Sequence, residues 1–332
     1  MIRGKTIHHV GRQLCSNYFR NGSKQMSSSQ FVRPSVWNDT YSIGIDSFSL
    51  SERQKISLSS ILEQNKPLTS TSRLSINGQF MSGKGAFHPT FSSPIGGVRT
   101  PNGQMQLASS EQLAHVSSCF GRPSTVQRLN DHDFHTIKMT IERFIKELKS
   151  SDMLLPDYLA VAAQDFRAEK WNEFEEFIVG TIRNMIASAE VTQNILQTDP
   201  NLEVGATHFV SLANQNFPTI LVFEAMMRHL LLGKDVMVIA RPASSDTSHF
   251  PIHLVQKFQD FCVQHNVLVN NQPLVDRLFI LCVSEGQRDD FLTNHLSQNN
   301  RAIVNVVGSA NTVQTIYNDS LSRGYGVEVA GA

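Results

Sequence analysis

The chain has 332 residues, with 29 Lys+Arg against 29 Asp+Glu and a hydrophobic fraction of 40%, enough to bury a large core and to fold as more than one unit. Zero formal charge argues against a protein that clamps a phosphate backbone or lies on an anionic membrane, because both need clustered Lys and Arg. No apolar run reaches the roughly 18 residues of a membrane span, since the best stretch, 217–232, carries Glu224, Arg228 and His229.

Residues 1–35 read as a basic leader. Arg3, Lys5, Arg12, Arg20, Lys24 and Arg33 all precede the first acidic residue, Asp39, among many Ser, Asn and His. An acid-free, Arg-bearing, Ser-containing N-terminus has the composition of a mitochondrial transit peptide and predicts the mitochondrial matrix. The alternatives are an unstructured basic leader or a start at Met26, with a cytoplasmic protein. The four cysteines, Cys15, Cys119, Cys262 and Cys282, form no Cys-x-x-Cys pair, which sets aside the usual zinc spacings and fits a reducing compartment.

Residues 36–134 read as an irregular, extended arm. Ser47–Ser72 holds no sustained helical period, and 67–72 reads as loop. Leu74–Phe80 alternates around Asn77-Gly78, a strand-turn signal, and with the Gly- and Pro-punctuated run to Gly103 it reads as strands or an extended arm. Residues 135–332 change texture. Ile137, Ile141, Phe144, Ile145 and Leu148 predict one amphipathic helix, Phe174, Phe177, Ile178, Ile182, Met185 and Ile186 another, and Pro156-Asp157 opens a third between them. Beyond residue 205, apolar runs at His208–Leu212, Val236–Ala240, Leu278–Val283, Ile303–Val307 and Gly326–Val329 alternate with helical spacing in 217–232, 249–264, 286–297 and 310–317. This pattern predicts an α/β unit with a doubly wound parallel sheet covered on both faces.

Such a sheet binds ligands beyond the carboxyl ends of its strands, so the residues after each apolar run are the candidates. They are Asn214–Pro218, Arg241–Ser244, Gly308-Ser309 and, inside the last run, Glu328. Asn216-Phe217-Pro218, the Gly233 to Pro242 strand end, Val307-Gly308-Ser309 and Val327–Gly331, in this order, resemble the motifs of the aldehyde dehydrogenase superfamily. Ile76-Asn77-Gly78 resembles its N-terminal opening. The resemblance covers roughly residues 135–332 and implies a Rossmann-like cofactor domain and NAD(P)-dependent oxidation of a small-molecule aldehyde. In that chemistry a Cys thiolate attacks the carbonyl, hydride leaves to nicotinamide, and a carboxylate activates water. The resemblance makes Asn216 the oxyanion donor and Glu328 the general base. It makes Phe217, Pro218, Arg241, Pro242, Ser244, Gly308 and Ser309 cofactor contacts, with Gly308-Ser309 opening a helix toward the phosphates. For a full-length protein it also implies a homo-oligomer. Read without it, Asn216 is a turn residue and Glu328 a solvent-facing member of a strand.

Four departures accompany the resemblance. Arg241 stands where the family has Lys, and Ser244 where an acidic residue is common, which tilts the cofactor from NAD toward NADP. Val313 stands where a glycine is usual. The family's nucleophile lies beyond the position of Glu328, and none of the four cysteines matches it: Cys15 is in the leader, Cys119 precedes the helices, Cys262 falls in a helix and Cys282 in an apolar strand. The chain is therefore expected to be an N-terminal portion lacking the nucleophile. The rival readings are a CoA-acylating aldehyde dehydrogenase or acyl-CoA reductase relative, and a catalytically inactive dinucleotide-binding or oligomerisation subunit. Asp131-His-Asp-Phe-His135 reads as a helix start rather than a metal site, and His249-x-x-x-His253 as helix surface.

Overall fold

A computed structural model describes residues 50–81, 83–91, 100–120, 129–166, 186–198, 208–212, 219–240, 242, 249–292, 302–306, 310–323 and 326–329. The predicted strands appear as β6 (His208–Leu212), β7 (Asp235–Ala240), β10 (Leu278–Cys282), β11 (Ala302–Val306) and β12 (Gly326–Val329). They form one five-stranded sheet in the order β10-β7-β6-β11-β12, with every pairing parallel. In chain order this is 3-2-1-4-5, so the winding reverses between β6 and β11, the strands beyond whose carboxyl ends a doubly wound sheet binds its ligands.

Side-chain alternation divides the sheet between two cores. Phe209, Val236, Val238, Ala240, Leu278, Ile280 and Cys282 enter one apolar cluster, and Val210, Met237, Ile239, Phe279, Leu281, Val304 and Val306 the other. Helices cover the first face, among them the amphipathic α3 (Asp131–Ser150) and α7 (His249–Gln264) and the almost wholly buried α6 (Ala225–Leu231). In α3, the predicted Ile137, Ile141, Phe144, Ile145 and Leu148 are all buried, and Asn130 rather than an Asp is the N-cap. Phe144 meets Phe258 at 5.2 Å and Phe261 at 5.6 Å, both edge-on. The helix predicted at Pro156 spans Leu154–Phe166 (α4). Of the next predicted helix, Phe174–Met185 lie outside the described residues, and 186–198 are helical (α5). On the second face, α2 (Ser110–Phe120) and α8 (Glu285–Phe291) contribute Val116 and Phe291, and α9 (Ala310–Arg323) contributes Val313 and Ile316.

The segment expected to be irregular holds regular structure. Helix α1 (Glu52–Gln64) occupies part of the stretch without helical period, and β1 (Leu68–Thr71) replaces the predicted loop. α1 buries only Gln54, so no apolar stripe announces it. Its signature is the capping box Ser51-Glu52-Arg53-Gln54, in which Ser51 Oγ accepts from Gln54 N and Gln54 Oε1 from Ser51 N. Gln54 Nε2 also donates to Lys149 O and Ser151 O, closing the end of α3. β1 pairs in parallel with β5 (Pro101–Gln106), which β4 (Phe87–Phe91) joins antiparallel. Gly103 permits that approach, since a Cβ there would stand 2.0 Å from Leu68 O.

The predicted turn at Asn77-Gly78 joins β2 (Leu74–Ile76) to β3 (Gln79–Met81). Both turn residues have positive φ, 53° and 78°, as a two-residue hairpin turn requires. A second hairpin, β8 (Leu268–Val269) with β9 (Gln272–Pro273), turns on Asn270-Asn271. The arm then closes the β10 edge of the main sheet. Arg73 and Ile280 exchange two backbone bonds of 2.8 and 3.0 Å, and Ala108 N donates to Cys282 O, satisfying groups that an edge strand otherwise leaves open.

Candidate functional site

The carboxyl ends of β6 and β11 define the candidate site. Asn216, Phe217 and Pro218 follow β6, Arg241 and Ser244 follow β7, and Gly308 and Ser309 follow β11; all seven lie outside the described residues. The strands that carry them end on one edge of the sheet. Pro242 is described and is buried just past β7. Glu328 lies in β12, where its backbone pairs in register with Asn305 of β11. The helix after β6 opens with a π-helical segment, Thr219–Glu224, before continuing as α6. Such π turns are frequent beside functional sites.

The start of α7, directly after the β7 connection, is held by a buried polar cluster that sequence reasoning missed. His249 is 1% exposed, not on the helix surface. Its Nδ1 lies 2.7 Å from Ser70 Oγ of β1 and its Nε2 2.7 Å from Thr90 Oγ1 of β4. Burial, reinforced by the charge of His253, lowers its pKa to about 4, so a neutral ring receives one hydroxyl proton and gives one. Beside it, Asp165 of α4 accepts from Phe250 N at 3.0 Å and from Asn102 Nδ2 at 3.1 Å. The first turn of α7 is thus capped by a carboxylate from another helix. One turn on, His253 and Lys257 each stand 3.0 Å from Asp157 Oδ2. Burial alone would raise the Asp157 pKa, but the hydrogen bonds and charges of these two residues lower it to about 2. The sequence clue was the arm's run of Ser and Thr, which carries no period.

At the opposite edge of the sheet, Asp235 opens β7 between His208 Nε2 at 3.6 Å and Arg277 Nε at 4.0 Å. Desolvation outweighs the opposing charge of Arg277 and raises the Asp235 pKa to about 6. Cys262 and Cys282 lie in the helix and the strand expected for them, Cys119 lies within a helix rather than before the helices, and Cys15 is outside the described residues. Burial pushes the Cys282 thiol up to about 12 and the Cys262 thiol still higher, so both behave as small apolar residues. Cys119 lies on α2 with His115 Nε2 at 3.4 Å. Among the described residues no group of three metal-ligating side chains is present, and no helix is long and apolar enough to cross a membrane.

No family model and no curated protein matches the chain. Solved structures do. A mutant 1-pyrroline-5-carboxylate dehydrogenase from Thermus thermophilus aligns at a TM-score of 0.56 with 15% identity, over 86% of this chain and 54% of that one. The NAD+ complex of an aldehyde dehydrogenase from Bacillus cereus aligns at 0.54 with 14% identity, over 86% and 54%. Aldehyde dehydrogenase 21 from Physcomitrella patens, in complex with the reaction product succinate, aligns at 0.52 with 12% identity, over 80% and 52%. The chain spans about half the length of these proteins. The fold is therefore the one these aldehyde dehydrogenases share, as the motif order implied.

Proposed function

We propose that this chain binds a nicotinamide dinucleotide at the carboxyl edge of its five-stranded sheet and serves the NAD(P)-dependent oxidation of an aldehyde to a carboxylic acid. The observation that carries this reading is the parallel order β10-β7-β6-β11-β12, whose switch point is flanked by the strands leading into Asn216-Phe217-Pro218 and Gly308-Ser309. A bound dinucleotide would supply the hydride acceptor. In this reading the backbone amides of Gly308 and Ser309 meet its pyrophosphate, and Arg241, Pro242 and Ser244 its adenosine ribose, with Phe217 and Pro218 walling the site. Arg241 with Ser244 favours NADP over NAD. Asn216 donates its amide to the developing oxyanion, a contact whose removal costs roughly 100-fold or more in turnover elsewhere. Glu328 takes the proton of the hydrolytic water.

Acyl transfer also requires a thiolate, and the buried, high-pKa Cys262 and Cys282 do not fit that role. The oxidation is thus proposed for a protein in which this unit works with a reactive cysteine placed elsewhere. We assign that protein to the mitochondrial matrix, on its basic leader, and to a homo-oligomer; a fluorescent fusion and light scattering test these two points. The test of function is calorimetric titration of the chain with NAD+ and NADP+, followed by an assay for aldehyde-dependent cofactor reduction. Binding of either dinucleotide, tighter for NADP+, is the expected result. A folded chain that binds neither overturns the reading.

A further inference from the structure

One lateral row of the sheet changes chemistry at the switch point. Ile280, Val238, Ser211 and Asn305 are successive register partners across β10, β7, β6 and β11, and register partners in neighbouring parallel strands share a face. The first two are apolar and the second two polar, and Asn305 pairs in turn with Glu328 of β12, so the row is polar from β6 onward, starting at the two strands that meet at the switch point. Two residues earlier on the same face the pair is Phe209 and Ile303, the first inside the apolar cluster and the second packed against it. The polarity is confined to the carboxyl end, at the next-to-last position of each strand.

Ser211 and Asn305 are each 1% exposed, and Ser211 Oγ has no hydrogen-bond partner among the described residues. Other buried hydroxyls in this protein do have one: Ser70 and Thr90 meet His249, and Ser72 meets Cys282. An unmet buried hydroxyl is destabilising, and ligands occupy this part of a doubly wound sheet. Ser and Asn side chains each offer a donor and an acceptor without charge. The group they match is therefore neutral, with both a donor and an acceptor, rather than a phosphate.

We propose that Ser211 and Asn305 seat a hydroxyl or carboxamide of the nicotinamide-ribose half of the dinucleotide; this rests on the proposed function above. Ser211 is a binding residue, and its hydroxyl has no hydrogen-bond partner among the described residues. The test is calorimetry of the chain with NAD+, ADP-ribose and AMP, together with thermal melting of the free protein, for wild type, Ser211→Ala and Ser211→Thr. The expected result for Ser211→Ala is about tenfold weaker NAD+ binding, equivalent to 1.4 kcal/mol, with AMP binding unchanged and the free-protein Tm unchanged or raised. Ser211→Thr, which keeps the hydroxyl, retains NAD+ binding. If ADP-ribose weakens equally the group is a ribose hydroxyl, and if it does not the group is the carboxamide; both uphold the proposal. Wild-type NAD+ affinity in Ser211→Ala overturns it, as does a lowered free-protein Tm, which would make the hydroxyl structural. A wild-type chain that binds none of the three ligands overturns the proposed function, and this site with it.

Discussion

The parallel sheet and the arm that docks on its edge are held by different physics. Strands β6, β7, β10 and β11 bury side chains on both faces, and most of those are apolar, with His208, Ser211 and Asn305 the polar exceptions. The arm, 68–108, buries Leu68, Leu74, Met105, Leu107 and Ala108, and its fixed position comes from directed polar contacts. Ser70 and Thr90 grip His249, Ser72 bonds Cys282 N, and Ser75 and Gly78 share Asp276 Oδ1. Non-directional burial tolerates small shifts, whereas a hydrogen-bonded dock fails when one partner is removed or changes charge. The sheet should therefore respond to lost volume and the arm to pH and polar substitution.

The largest effect belongs to the sheet side. Phe258 is fully buried between Phe144 and Phe223, and Phe258→Ala is expected to cost about 3–5 kcal/mol. Urea denaturation followed by circular dichroism measures it, and a cost near 1 kcal/mol would remove the contrast between the two regions.

The arm's counterpart is His249. Its pKa is about 4 when folded and near 6.5 when unfolded, so between these values the unfolded chain binds the extra proton. Stability is then fully present above pH 6.5 and falls as pH drops toward 4, by about 3 kcal/mol over the window. His249→Gln, which bonds but does not titrate in this range, should flatten that slope. An unchanged slope in the variant would place the pH sensitivity elsewhere.

The same contrast decides what was legible in the sequence. Apolar periodicity located all five parallel strands and the α3 helix, because those segments are shaped by burial, which leaves a period. α1 and β1 were not legible because they bury few apolar side chains, and their signals are a capping box and a close-approach glycine. The His249 cluster joins residues 159 and 179 positions apart in sequence, and no local pattern encodes such a pairing. The motif order pointed to strand ends that the fold brings to one edge of the sheet, while most of the motif residues themselves lie outside the described residues. Ser211 and Asn305 were overlooked inside runs read as apolar, although a lone polar residue in such a run was itself the clue.

Asp235 offers a check of opposite sign, at the amino edge of the sheet. Its pKa is raised to about 6, above the unfolded value near 3.9, so its contribution is favourable at low pH and is lost as pH rises through 6. Asp235 is partly exposed, which limits the effect to about 1 kcal/mol. Asp235→Asn should therefore raise the Tm at pH 7.5 and leave it unchanged near pH 4. Because this window overlaps that of His249 with the reverse slope, the wild-type curve is the sum of the two, and the double variant should be nearly flat between pH 4 and 6.5. Equal Tm for Asp235→Asn and wild type at pH 7.5 would mean that Arg277 and His208 compensate the carboxylate fully.

The smallest effect tests the dock itself. Arg73 lies over the Phe80 ring, 3.6 Å from its centroid, and pairs with Asp260 of α7. The Asp260 side chain is 52% exposed, so that ion pair contributes little, and the guanidinium stacked on the ring adds about 0.5–1 kcal/mol. Arg73→Ala is expected to cost about 1 kcal/mol, Arg73→Lys somewhat less, and Asp260→Asn almost nothing, in melts at low salt. The backbone bonds between Arg73 and Ile280 survive all three substitutions, which is why the arm should stay docked. If Asp260→Asn proved as costly as Arg73→Ala, the ion pair and not the ring would anchor the hairpin, and the loss should then shrink as salt screens it.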